Sequence, residues 1–226
     1  MAGGPRASSW TRPETVEAFT RGLPNAALVH YVERERATRS VRRVVDIGCG
    51  AARNALPLAK AGLEVVGLDD ATPMIAAARE RWRAEGDGTA LRLVSGRMDA
   101  LPLATGSCDL IVAHGIWNLA RSGAEFRAAV AEAARVARPG AGLFLFTFSR
   151  HTLPPTAVPV PGETFVFTQF SGDPQCFLTE REVVTELSAA GFERDPDGPL
   201  TEYNRPAGPT LIAAGPVIYE GTFRRH

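Results

Sequence analysis

The chain is poor in lysine, in cysteine and in net charge. Of its 226 residues one is lysine, Lys60. Schiff-base or phosphate-loop lysine chemistry therefore has a single candidate, and no glycine-rich phosphate loop precedes it. The three cysteines, Cys49, Cys108 and Cys176, are widely spaced, with no CxxC pair and no histidine cluster. They read as reduced thiols of a cytoplasmic protein, and neither a disulfide framework nor a metal site is expected. Lys plus Arg is 25 and Asp plus Glu is 25. Phosphate neutralisation needs an excess of cations, so nucleic acid is excluded as a partner. The most apolar stretch, Leu143 to Phe148, is too short to span a bilayer, and the first residues lack a signal-like apolar run. What remains is an ordinary globular composition, 45% hydrophobic and 22% charged, long enough to bury a core without staples.

Two helical segments come first. Thr11-Arg-Pro-Glu14 has the form of a capping box, and a second helix is expected from Asn25 to Thr38. From Val41 onward strands and helices alternate. Strands are expected at 44–47, 64–68, 90–94, 108–113 and 142–148. Between them fall helices at 54–61, from Thr72-Pro73, and from the capping box Ser122-Gly-Ala-Glu125 to the stop at Arg138-Pro-Gly140. This alternation predicts βαβ units and an α/β, doubly wound, mostly parallel sheet. The last third holds a proline-rich loop at 151–162, a strand over Thr164–Phe170, a capping box at Thr179-Glu-Arg-Glu182, and late strand material at 210–214 and 217–219. Residues 1–40 read as a helical lid belonging to the same domain as 41–226.

The sharpest motif is Val44-Val-Asp46-Ile-Gly48-Cys49-Gly50-Ala-Ala-Arg53-Asn54. A strand ends in an acid and passes through a tight Gly-x-Gly turn into a helix. Glycine suits a backbone that a ligand must approach closely. Asp69 ends the second strand about 20 residues later, the spacing of a carboxylate that holds both ribose hydroxyls; Asp70 beside it is the alternative. Together these place an adenine nucleoside over the two strand ends. A nicotinamide dinucleotide prefers a third glycine where this chain has Arg53, and Asp46 would repel a pyrophosphate. An ammonium and a sulfonium suit Asp46 better, which points to S-adenosylmethionine.

Taken with Val65-Val-Gly-Leu-Asp69, Met98-Asp-Ala-Leu-Pro-Leu103, Cys108-Asp-Leu-Ile-Val112 and Arg138-Pro-Gly140, the motif resembles the class I S-adenosylmethionine-dependent methyltransferases over about residues 41–150. Arg53-Asn54 is most similar to their tellurite-resistance-type subgroup. The resemblance implies a Rossmann-like methyltransferase fold of seven strands, the last antiparallel. It implies that Asp46, Gly48, Cys49, Gly50 and Arg53 surround the methionine end of the cofactor, and that Asp69 or Asp70 holds the ribose. Arg97, Met98 and Asp99 would lie at the adenine, and His114 near the transferable methyl.

Methyl transfer asks little of the protein beyond in-line positioning and exclusion of water. An alcohol or ammonium acceptor also needs a base. His114 and His151, after the fourth and fifth strands, are the candidates. Tyr31, Trp117 and Asn118 are candidates for the acceptor pocket. No Asn-Pro-Pro-Tyr-type motif follows the fourth strand, so the expected reaction moves a methyl group to a small-molecule O, N, S or metalloid acceptor, with the protein a monomer or homodimer. A nicotinamide-dependent oxidoreductase and a non-catalytic nucleoside-binding module on the same fold are the rival readings.

Overall fold

The computed structural model describes residues 9–86, 88–205 and 215–226. The chain divides into two compact units, Met1–Arg97 and Met98–His226.

The first unit is built on three parallel strands, β1 (Arg43–Ile47), β2 (Glu64–Asp69) and β3 (Leu91–Ser95), with β2 in the middle. Val44, Val45 and Ile47 of β1 are all buried, the near-continuous apolar reading of a strand covered on both faces. Helices α1 (Pro13–Arg21), α2 (Ala26–Arg39), α3 (Ala55–Lys60) and α4 (Thr72–Glu85) complete it. Asn25 caps α2 by accepting the Leu28 N–H at 2.9 Å. Pro57 sits early in α3, where its missing N–H costs nothing. The expected cap at Thr11 is displaced: α1 starts at Pro13 behind Arg12, whose side chain makes no capping bond. At α4 the cap position is likewise Ala71, one residue before Thr72.

In the second unit β4 (Cys108–His114) runs parallel to β5 (Ala137–Phe148). β10 (Ile218–Arg225) pairs antiparallel with β5, and β8 (Phe192–Arg194) and β9 (Thr201–Tyr203) pair antiparallel with β10. β6 (Val166–Phe167) and β7 (Gln175–Cys176) form a separate two-stranded ribbon. Two helices, α5 (Gly123–Val136) and α6 (Glu180–Ala189), belong to this unit. Ser122 caps α5, and Thr179 with Glu182 closes a full capping box at α6. Counting the eight paired strands outside the β6–β7 ribbon gives one more than the seven implied by the family resemblance.

Three expectations need correction. Arg138-Pro-Gly140 does not merely stop α5 but opens β5, where the register with β4 shifts between Cys108 and Leu110. That irregularity lets the Arg138 guanidinium reach Asp109 at 2.9 Å. The strand expected over Thr164–Phe170 is paired only at Val166 and Phe167. Its phenylalanines instead feed aromatic clusters: Phe165 meets Phe126 at 5.4 Å, and Phe167 and Phe170 meet Phe177 at 6.2 and 5.7 Å. Deleting a buried ring such as that of Phe177 costs about 3–5 kcal/mol. The strand expected at 210–214 lies outside the described residues, while 217–219 proves to be the start of the longer β10.

Candidate cofactor site

The turn after β1 belongs wholly to the first unit. Gly48 and Gly50 take φ of 72° and 52°, and Ala52 takes 59°. The left-handed region suits glycine, but alanine pays about 1–2 kcal/mol there. Ala52 is fully buried, so packing holds it in that conformation. The N–H groups of Gly48 and Cys49 both donate to the Leu68 carbonyl, at 2.7 and 2.9 Å. They anchor the turn to the end of β2.

Asp69 fastens the same turn from its side chain. Its Oδ2 accepts the Gly50 N–H at 2.9 Å, and its Oδ1 accepts the Ala71 N–H at 2.9 Å. A carboxylate oxygen has two lone-pair directions, so each oxygen keeps one for a ligand hydroxyl. Burial raises the Asp69 carboxyl above its ordinary range, opposed by these two amides and assisted by Asp70. Asp70 itself is exposed.

Asp46 is buried, and its Oδ2 has no hydrogen-bond partner. Burial pushes its carboxyl from 3.8 to about 7, although the Arg53 guanidinium pulls the other way. A buried carboxylate with an orphan oxygen costs free energy until a donor or cation reaches it. The residues present therefore fit a nucleoside carrying a cationic tail: an acid for the cation, two free lone-pair directions for a ribose, and a turn rich in positive φ.

Cys49 is the middle residue of the Gly-x-Gly turn. Its side chain packs inward over β2, where a Cβ on Gly67 would lie 3.0 Å from the Cys49 sulfur. Burial raises its thiol well above the usual value. Only its backbone belongs to the turn. Arg53 is half-buried, with its guanidinium 5.9 Å from the centre of the Phe19 ring. Phe19 of α1 was not singled out in the sequence. A Cβ on Gly50 would stand 3.5 Å from its ring. Trp10 meets Phe19 edge-on at 5.3 Å, and both pack with Val16 against Ala51, Ala71 and Met74. Asn54, also missed, accepts the Asn25 N–H at 3.0 Å and so ties the turn to the start of α2. The sequence signal for this cover was two aromatic residues, Trp10 before the first helix and Phe19 within it.

The other expected residues fall as follows. Tyr31 is 4% exposed, within α2, with Arg34 stacked 5.1 Å from its ring centre. Arg97 is exposed at the end of the first unit. In the second unit Met98 and Asp99 are half-buried. His114 ends β4 with its ring stacked on Phe146 at 4.4 Å. Trp117 and Asn118 are 0% and 1% exposed. Trp117 packs on Phe126 at 6.2 Å, and Asn118 Oδ1 has no hydrogen-bond partner. His151 follows β5 and is bonded to Glu202, 2.7 Å from Nδ1 to Oε1. Among the described residues no group of three His, Cys, Asp or Glu is placed to hold a metal ion, and no helix is long and apolar enough to cross a membrane.

Comparison with known proteins agrees with this geometry. Residues 45–145 match the methyltransferase domain family. A ubiquinone/menaquinone biosynthesis C-methyltransferase of Syntrophotalea carbinolica is 36% identical over 125 residues, covering 54% of this chain and 50% of that protein. The chain thus spans about half the length of the curated relatives it matches. A S-adenosylmethionine-dependent methyltransferase structure from Methanosarcina mazei superposes with a TM-score of 0.67 at 22% identity, over 90% of this chain and 99% of that one. A Burkholderia thailandensis 1,6-didemethyltoxoflavin N1-methyltransferase, solved with its substrate and S-adenosylhomocysteine, gives 0.64 at 19%, over 99% and 93%. These two likenesses speak for the fold, a doubly wound, mostly parallel α/β sheet of the Rossmann-like methyltransferase type. Over residues 45–145, the stretch that holds Asp46, Gly50 and Asp69, the chain is similar to the methyltransferase domain family.

Proposed function

We propose that this chain is an S-adenosylmethionine-dependent methyltransferase acting on a small-molecule O, N, S or metalloid acceptor by direct displacement. The observation that carries the reading is the orphan Asp46 Oδ2 beside a turn whose Gly50 N–H is clamped by Asp69. Asp46 faces the ammonium of the methionine end, directly or through one water, and Asp69 takes the ribose hydroxyls on its two remaining lone-pair directions. Asp70 is too exposed to make a strong bond there. Arg97, Met98 and Asp99 serve the adenine. S-adenosylmethionine supplies an already activated methyl group, so the chain's own task is to bind, orient and exclude water.

Helix α1 and the segment before it act as a cover of the first unit's turn, with Trp10 and Phe19 shielding it. His114 serves the acceptor side, with Asn118, whose Oδ1 is buried without a hydrogen-bond partner, behind it in the chain. The reduced, buried state of all three cysteines supports a cytoplasmic setting. The test is a calorimetric titration followed by an acceptor screen. Micromolar binding of S-adenosylhomocysteine, none of NADH, and S-adenosylhomocysteine release that falls in His114→Ala support the reading. NADH binding in its place would return the chain to the oxidoreductases.

A further inference from the structure

Within the first unit, Arg53 stands where the turn after β1 meets α1. The backbone on either side of it is fixed. Ala52 is fully buried, and Asn54 is 5% exposed, with its Oδ1 accepting the Asn25 N–H at 3.0 Å. The Arg53 stem runs against Gly22, the residue that ends α1. A Cβ on Gly22 would stand 2.7 Å from Arg53 Cδ, so glycine is what lets the two segments approach. The guanidinium lies 5.9 Å from the centre of the Phe19 ring, a cation–π contact. Phe19 in turn overhangs Gly50, where an added Cβ would lie 3.5 Å from its ring. Base, stem and head of Arg53 are each held, and a side chain already ordered loses little freedom on binding.

The same turn carries the opposite charge. Asp46 is 1% exposed. Burial raises its carboxyl, and the Arg53 guanidinium is near enough to oppose that. Asp46 Oδ2 nevertheless accepts no hydrogen bond among the described residues, so the acid keeps an acceptor position for a ligand. A phosphate would meet Asp46 as a like charge, and a plain amine would meet Arg53 as one. An α-amino acid bears its ammonium and its carboxylate on one carbon and answers both. A guanidinium also matches a carboxylate in a planar, two-pronged fork.

We propose that Arg53 reads the α-carboxylate of the ligand's amino-acid end, and that α1 is coupled to the ligand through this one guanidinium. The inference rests on the S-adenosylmethionine reading above and divides the amino-acid end between two side chains: the ammonium goes to Asp46 and the carboxylate to Arg53. Phe19 is a positioning residue, because it touches the head of Arg53 and acts through it. A carboxylate on Arg53 fixes the group on which Phe19 rests, so α1 opens less often. A nucleoside that keeps the ammonium but lacks the carboxylate is discriminated against and leaves α1 as it was.

The test is calorimetric titration of the full chain with S-adenosylhomocysteine and with decarboxylated S-adenosylhomocysteine. The parent is expected to bind the first about 10- to 100-fold more tightly, the range for a hydrogen bond to a charged group. Arg53→Met, which keeps an apolar stem beside Gly22, should lose most of that ratio and bind the decarboxylated ligand no more weakly than the parent does. Arg53→Lys should keep part of the ratio. Phe19→Leu should lower it, which a merely apolar role for the ring would not do. Hydrogen exchange over Pro13–Arg21 should slow in the parent on adding S-adenosylhomocysteine, but not on adding the decarboxylated ligand. A parent that binds both ligands alike, an Arg53→Met loss equal on both, or exchange in α1 that slows equally with both would each overturn the proposal. A parent that binds neither ligand would instead bring down the S-adenosylmethionine reading beneath it.

Discussion

The Asp69 carboxylate accepts the backbone N–H of Gly50 at 2.9 Å. The acid that ends the second strand thus holds in place the turn that leaves the first. A residue expected to act on the ribose alone has a second task, which is to set the path of the backbone that the ligand must meet.

Replacing Asp69 by alanine therefore removes a ligand contact and a turn fastening together. Binding of S-adenosylhomocysteine is expected to weaken by about 1.5–3 kcal/mol. Asp69→Asn, which keeps one acceptor oxygen, should fall between that variant and the parent. Isothermal titration measures both, and an unchanged dissociation constant in Asp69→Ala would remove the residue from the site.

Gly50→Val places a β-branched side chain at φ 52°, where an L-residue costs about 1–2 kcal/mol and a branched one more. The new methyl groups also rise toward the Phe19 ring. The expected outcome is a folded chain by circular dichroism with cofactor affinity at least tenfold lower. Undiminished affinity would mean that the turn stands clear of the ligand.

Ala52 is the converse case. It already occupies φ 59° without being glycine. Ala52→Gly relieves that strain, while the unfolded chain gains freedom worth about 0.4–1 kcal/mol. The net is a stabilisation of about 0.5 kcal/mol by these opposing magnitudes, visible as a small rise in Tm. A clear drop in Tm would show that the buried Ala52 methyl contributes more by packing than its backbone loses by strain.

The raised Asp46 carboxyl gives a pH dependence of definite sign. Its folded value lies near 7 against an ordinary 3.8, so the folded state holds this proton more tightly than the unfolded one. The stability it contributes is fully present below about 3.8 and is lost as pH rises through about 7. Urea unfolding across that window should show the slope, and Asp46→Asn should flatten it. A ligand ammonium beside Asp46 favours the ionised form, so S-adenosylhomocysteine affinity should rise through the same interval with release of a proton. Titration in two buffers of different ionisation heat reads that proton directly.

The first unit was largely legible in the sequence. Its strands are apolar runs, its turn is marked by glycines, and Asp46 and Asp69 stand at strand ends, so local pattern and spacing suffice. The packing of the Cys49 side chain against Gly67 was not legible, because nothing local shows that Gly67 leaves room for it across the β1–β2 pair. The second unit was less legible. Glu202 and His151 are 51 residues apart in sequence, and β9, which carries Glu202, is three residues long. Thr164–Phe170 alternates as a strand does, yet its aromatic rings find partners in Phe126, Phe148 and Phe177 rather than in a long ladder.

The buried thiols have a practical consequence. Cys49 lies in the first unit, and Cys108 and Cys176 in the second, and all three are buried. A thiol-reactive dye can reach them only when the surrounding structure opens. Mass-resolved labelling would therefore time the opening of each unit separately in the unmodified chain, and slower labelling of Cys49 on adding a ligand would report occupancy of its turn without any enzymatic assay.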